Sequence, residues 1–103
     1  MEKGGCILKS EDIIIFLKNN KYELEKYGIN KIGLFGSYAK NQENEYSDID
    51  ILVEFKEGNE TFDNYMDLKF YLEERFNKKV DLVIAENIKE DLKKEILGSV
   101  IYA

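Results

Sequence analysis

Gly36-Ser37 is followed, after ten residues, by Asp48-Ile49-Asp50. In an extended strand, residues i and i+2 project to the same face. Asp48 and Asp50 therefore stand side by side, and two carboxylates held that close repel each other unless a divalent cation lies between them. A third carboxylate, Asp81, lies within the apolar run Val80-Asp81-Leu82-Val83. A charge inside an apolar strand is costly without a partner, and a metal ion is one such partner. Glycine lets the backbone approach a phosphate with no Cβ in the way. Amides opening a short helical turn after Gly36 face an anion favourably. The Ser37 hydroxyl is a donor for a phosphate oxygen, and Lys40 on the same turn adds positive charge. Singly, each feature has a structural explanation: a solvated strand face, an ordinary turn, a surface lysine. Jointly they describe a metal-dependent site for a nucleoside triphosphate.

The chemistry that needs these groups is nucleotidyl transfer. A hydroxyl attacks the α-phosphate, pyrophosphate leaves, and negative charge accumulates on a group already anionic. Two Mg2+ ions about 3.5–4 Å apart serve such a displacement, and magnesium prefers carboxylate, phosphate and water oxygens. Asp48 and Asp50 are the expected ligands of both ions and Asp81 the third ligand. The chain has no histidine, so proton transfer falls to carboxylates, metal-bound water or solvent.

Several elements must position these residues. Ile13, Phe16, Leu17, Leu24 and Tyr27 recur at helical spacing. With Ser10 as N-cap and Gly28 as stop, they predict one helix over about 11–27. Residues 31–35 (KIGLF) read as a strand and 37–40 as a helical turn. Residues 41–46 (NQENEY) read as an exposed loop, with Glu43 and Glu45 as soluble loop residues. Residues 48–55 (DIDILVEF) are the clearest strand. Ile49, Ile51, Val53 and Phe55 form its apolar face, while Asp48, Asp50, Leu52 and Glu54 form a mixed one. Thr61 caps an expected helix over 62–77 with Phe62, Tyr65, Met66, Leu72 and Phe76 inward. Residues 79–85 form another strand. Asn87 with Glu90 resembles a capping box opening a helix ended by Gly98, and 100–102 add an edge strand. Tyr38 and Tyr46 flank the motif, available for packing or for stacking on a base. This order predicts an α/β two-layer sandwich, with a small mixed sheet and helices on one face. Residues 1–103 make one domain, with 1–9 as a flexible lead-in.

Composition narrows the function. Twenty-one acidic against 15 basic residues give a net charge of −6, which argues against direct nucleic-acid binding. A nucleotide stays compatible, because bound cations supply positive charge. The single cysteine, Cys6, fits a reducing cytoplasm. No secretory signal and no apolar run near the ~20 residues of a membrane span is evident.

The segment GSYAKNQENEYSDIDILVEF resembles the minimal nucleotidyltransferases of the DNA polymerase beta superfamily, whose signature is Gly-Ser, ten residues, Asp-x-Asp. The tail VDLVIAENIKEDLKKEILGSVIYA is similar to the family's third catalytic strand and closing helix. The resemblance implies the nucleotidyltransferase fold. It implies Asp48 and Asp50 as catalytic and metal-binding, Asp81 as the third magnesium ligand, and Gly36 and Ser37 as the triphosphate-binding turn. It further implies an antitoxin paired in a hetero-oligomer with a HEPN-domain ribonuclease toxin, transferring AMP from ATP to a tyrosine of that toxin. One departure is Lys40-Asn41 where many relatives carry arginine then glycine. Lysine keeps the charge and loses the planar fork that grips phosphate at two points. At 103 residues there is little room for an acceptor-binding domain, so a partner protein is expected to complete the acceptor surface. Two alternatives stand beside this reading: a non-catalytic partner that silences the toxin by contact, and an enzyme acting on a small-molecule acceptor.

Overall fold

β2 is the strand around which everything else is laid. Its alternation of apolar residues buries Ile49, Ile51, Val53 and Phe55 on one face, as period-two patterning requires. The structure is a computed structural model describing residues 9–40, 42 and 47–103. In chain order the elements are α1 (Ser10–Asn19), α2 (Lys21–Glu25), β1 (Ile29–Phe35), α3 (Gly36–Ala39), β2 (Ile49–Phe55), α4 (Phe62–Phe76), β3 (Val80–Ile84), a 3-10 turn (Ala85–Asn87), α5 (Glu90–Ser99) and β4 (Ile101–Tyr102). The sheet order is β3-β2-β1-β4. β1 runs antiparallel to β2 and to β4, and β2 runs parallel to β3. The expected mixed sheet with helices is therefore the observed architecture.

Register follows the apolar partners. Val53 pairs with Ile32 and Ile51 with Leu34 on β1. On β3, Ile49 pairs with Val80 and Ile51 with Leu82. Against this face pack Ile13 and Leu17 of α1, Leu24 of α2, and Leu68 and Leu72 of α4, all fully buried. α5 adds nothing to this core, and its Leu92 and Leu97 are exposed.

Several local expectations are corrected. The single helix over 11–27 is two helices. The Asn20 side chain donates to Phe16 O at 2.8 Å and its backbone N–H to the same oxygen at 3.0 Å, so a local side-chain bond competes with helix continuation. Lys9, not Ser10, occupies the N-cap, and its N–H donates to Asp12 Oδ2 at 3.0 Å. Phe62 is 77% exposed and the buried residues of α4 are Leu68 and Leu72, because the buried stripe starts one turn later. Thr61 does cap α4, its hydroxyl accepting from Asn64 N at 3.1 Å. Asn87 is taken up by the 3-10 turn, so Lys89 flanks α5 instead. Gly98 does not stop that helix. Ser99 Oγ donates to Glu95 O and Ile96 O at 3.3 and 3.2 Å and closes its last turn.

β3 lies at a sheet edge, where unpaired backbone groups invite another strand. α4 occupies that edge with side chains. Glu73 Oε2 accepts from Val80 N at 2.9 Å, and Tyr65 donates its hydroxyl to Leu82 O at 2.7 Å. Lys69, 2.8 Å from the same carboxylate oxygen, and the Val80 amide hold the Glu73 carboxyl below its ordinary range. Tyr65→Phe leaves the Leu82 carbonyl without this donor, and urea denaturation should read a loss of about 1 kcal/mol. A variant as stable as the wild type would show that the edge does not depend on the bond.

Candidate active site

The apolar register of the core fixes the opposite face of the sheet. Because Ile49 pairs with Val80 and Ile51 with Leu82, Asp50 stands directly across from Asp81. On its other side Asp50 faces Phe35, the last residue of β1. Asp48 lies just ahead of β2, two residues before Asp50 and thus on its face. The backbone ladder is already formed there, since Ile49 N–H donates to Lys79 O at 3.0 Å. Asp48 and Asp81 are exposed and Asp50 is half-buried. Burial, followed by the charges of Asp81 and Asp48, pushes the Asp50 carboxyl up to about 6. The three aspartates therefore share one electrostatic neighbourhood. Among the described residues, no three His, Cys, Asp or Glu side chains form a ready-made metal cage. The backbone register sets the three carboxylates on one face of the sheet. Their all-oxygen chemistry suits a hard divalent ion.

Gly36 meets this cluster at close range. It has φ +75°, and a Cβ there would lie 2.8 Å from Asp50 Cγ and closer still to Oδ2. Glycine is thus required twice, by backbone conformation and by the neighbouring carboxylate. The single turn of α3 that follows is anchored in the core by Tyr38, only 1% exposed. Tyr38 is therefore a packing residue and not a base-stacking one. Ser37 is half-buried beside Gly36, and its carbonyl accepts from Gln42 N at 2.8 Å. Lys40 is exposed at the end of the turn. Its N–H contacts the Gly36 and Ser37 carbonyls, each at 3.2 Å. Glu54, farther along the site's face, accepts from Asn30 Nδ2 at 2.7 Å and acts as a rim residue. Asn41, Glu43, Glu45 and Tyr46 lie outside the described residues, as does Cys6. Lys79, which sequence reading did not single out, stands across from Asp48 in the ladder.

A strand-turn-strand unit that sets a glycine-serine turn against paired aspartates, with a third aspartate on the parallel neighbour, offers the carboxylate oxygens and the close backbone approach that metal-assisted nucleotidyl transfer requires. The family model described as polymerase beta, nucleotidyltransferase matches residues 11–103, and the chain belongs to that family. It is a nucleotidyltransferase. Among its relatives is the protein adenylyltransferase MntA of Thermococcus cleftensis, 38% identical over 98 residues, covering 94% of this chain and 98% of that protein. A solved structure provisionally described as a minimal nucleotidyltransferase superposes with a TM-score of 0.80 at 28% identity, covering 94% of this chain and 98% of the other. A chain in the structure of tri-AMPylated Shewanella oneidensis HEPN toxin in complex with MNT antitoxin shares the fold, with a TM-score of 0.61 at 22% identity, over 85% of this chain and 69% of the other.

Two outcomes follow from this geometry. With a folded pKa of about 6 against 3.8 in the unfolded chain, Asp50 favours folding below pH 4. That contribution is lost as pH rises through 6. Asp50→Asn should therefore be the more stable protein above pH 6 in EDTA, by about 1 kcal/mol after allowing for solvent screening. The advantage should vanish towards pH 4. Equal melting temperatures across that range would mean that neither burial nor the neighbouring carboxylates raise the Asp50 carboxyl. Gly36→Ala should be less stable by about 1–3 kcal/mol in urea unfolding, from the left-handed backbone and the displaced carboxylate. An undiminished midpoint would show that the turn adapts freely.

Proposed function

We propose that this chain is an antitoxin-type protein adenylyltransferase, moving AMP from ATP to a tyrosine hydroxyl of a HEPN-type ribonuclease toxin in the cytoplasm. The observation that carries the chemistry is the register match of Asp50 with Asp81, with Gly36 closed against the Asp50 carboxylate. The acceptor and the antitoxin role rest on the names of the relatives. The MntA relative is itself named a protein adenylyltransferase, and a chain of the same fold stands in a complex with an AMPylated HEPN toxin.

On this reading Asp48, Asp50 and Asp81 hold two Mg2+ ions, which supply charge neutralisation at the triphosphate and a lowered pKa for the acceptor hydroxyl. Gly36 admits the phosphates close to the backbone, Ser37 donates to a phosphate oxygen, and Lys40 balances charge beyond the turn. The acceptor oxygen forms a bond to the α-phosphorus as the α–β bridging bond breaks, and pyrophosphate leaves with that electron pair. The acceptor proton passes to the aspartate cluster and on to solvent.

The test is incubation of the purified protein with ATP, Mg2+ and its folded HEPN partner, read by intact mass. The added mass of AMP is expected on a partner tyrosine. The Asp48→Asn/Asp50→Asn variant should be slower by roughly a hundred-fold or more. No adduct on a bound, folded partner would refute the reading. Protection of cells by the double variant, undiminished, would favour neutralisation by contact alone.

A further inference from the structure

Lys79 stands where the catalytic face meets the outer edge of the sheet. The bond from Ile49 N–H to Lys79 O at 3.0 Å extends the β2–β3 ladder one residue ahead of Val80. Since Ile49 pairs with Val80, Lys79 stands across from Asp48. Asp81 is two residues further along the same strand, so the alternation that aims Asp81 at Asp50 sets Lys79 on the same face. Lys79 is exposed. Around it are Asp48 across the ladder, Asp81 on its own strand, the neighbouring Lys78, and Glu73 of α4, whose carboxyl it helps to hold ionised. Lys79 thus stands on the β3 flank of the acidic cluster. Gly36-Ser37 and Lys40 lie on the other flank, at the end of β1.

This lateral order gives the two flanks different tasks. In phosphoryl-group displacement the attacking and leaving oxygens lie roughly in line on opposite sides of phosphorus. With the departing pyrophosphate at the Gly36-Ser37 turn, the acceptor must arrive over β3. We infer that Lys79 is an acceptor-side residue, its ammonium group stabilising the negative charge that builds on the attacking hydroxyl oxygen. This rests on reading the site as an AMP transferase and says which side of it the acceptor uses. In the step, the acceptor oxygen bonds to the α-phosphorus, pyrophosphate leaves with the electrons of the bridging bond, and the acceptor proton goes to the aspartate cluster. Lys79 takes no part in that proton transfer and acts through its charge. The flexible four-carbon stem of lysine lets that charge follow an acceptor presented by a separate protein.

The experiment compares wild type, Lys79→Ala and Lys79→Arg by calorimetric ATP binding with Mg2+, by steady-state AMP transfer to the HEPN partner, and by melting temperature. ATP affinity should stay within about two-fold and the melting temperature should not move. The turnover of Lys79→Ala at saturating ATP should fall roughly ten-fold, and Lys79→Arg should recover most of it. Loss of ATP affinity with turnover intact would make Lys79 a triphosphate ligand and overturn the assignment. Unchanged turnover in Lys79→Ala would overturn it as well. A wild type that transfers no AMP would overturn the functional reading itself and this assignment with it. A wild type and an alanine variant that transfer equally would overturn the assignment alone.

Discussion

Asp50 and Asp81 belong to strands separated by the whole of α4, and they meet because β2 and β3 run parallel in a single register. That register is enforced from the other side of the sheet. A slip of β2 by one residue would turn Ile49, Ile51 and Val53 out of the core and carry Asp50 into it. Each fully buried aliphatic side chain contributes about 1.5–3 kcal/mol. The burial of Asp50, with the charges of Asp81 and Asp48 beside it, costs about 1 kcal/mol after discounting for solvent. The core therefore decides the geometry of the polar face, and the crowding of like charges is tolerated there.

The same economy appears at the borders of the sheet. The outer edge of β3 is taken up by Tyr65 and Glu73 of α4, so the helix that connects β2 to β3 also shields the strand it delivers. At the opposite edge β4 lies across from Gly33, where a Cβ would meet Val100 Cγ2 at 2.8 Å. That glycine lets the end of the chain close on β1. The ring of Tyr102 then lies 5.7 Å from Lys31 Nζ, within cation–π range.

What could be read from the sequence follows from where the information is local. β2 was legible because alternation is a property of seven consecutive residues, and the Asp48–Asp50 pairing came with it. The place of Gly36 beside the carboxylates was legible in kind. Its overlap with Asp50 was not, since it depends on how β1 enters its turn. The break at Asn20 was missed because helical periodicity continues through it, while the side-chain bond to Phe16 that ends α1 leaves no trace in spacing. Phe62 was misassigned inward and Leu68 overlooked for a related reason. Several apolar phases fit α4, and only contact with the sheet selects among them. Lys79 was not singled out, since a lysine at a strand entrance reads as solvation until the strand's partner is known.

The three aspartates are unequal, and the inequality has a structural source. Asp50 lies within the central strand, flanked by paired strands on both sides, and so carries both the burial and the charge of its two neighbours. Asp48 precedes the strand and Asp81 lies on the edge strand, and both are open to water. A site built this way has one fixed member and two exposed ones. The fixed carboxylate is held by backbone pairing and by the absence of a side chain at Gly36. The outer two are placed by the backbone alone and face water. The rigid part of the site thus lies where the triphosphate would be gripped. The exposed carboxylates lie at the entrance of β2 and on the edge strand β3.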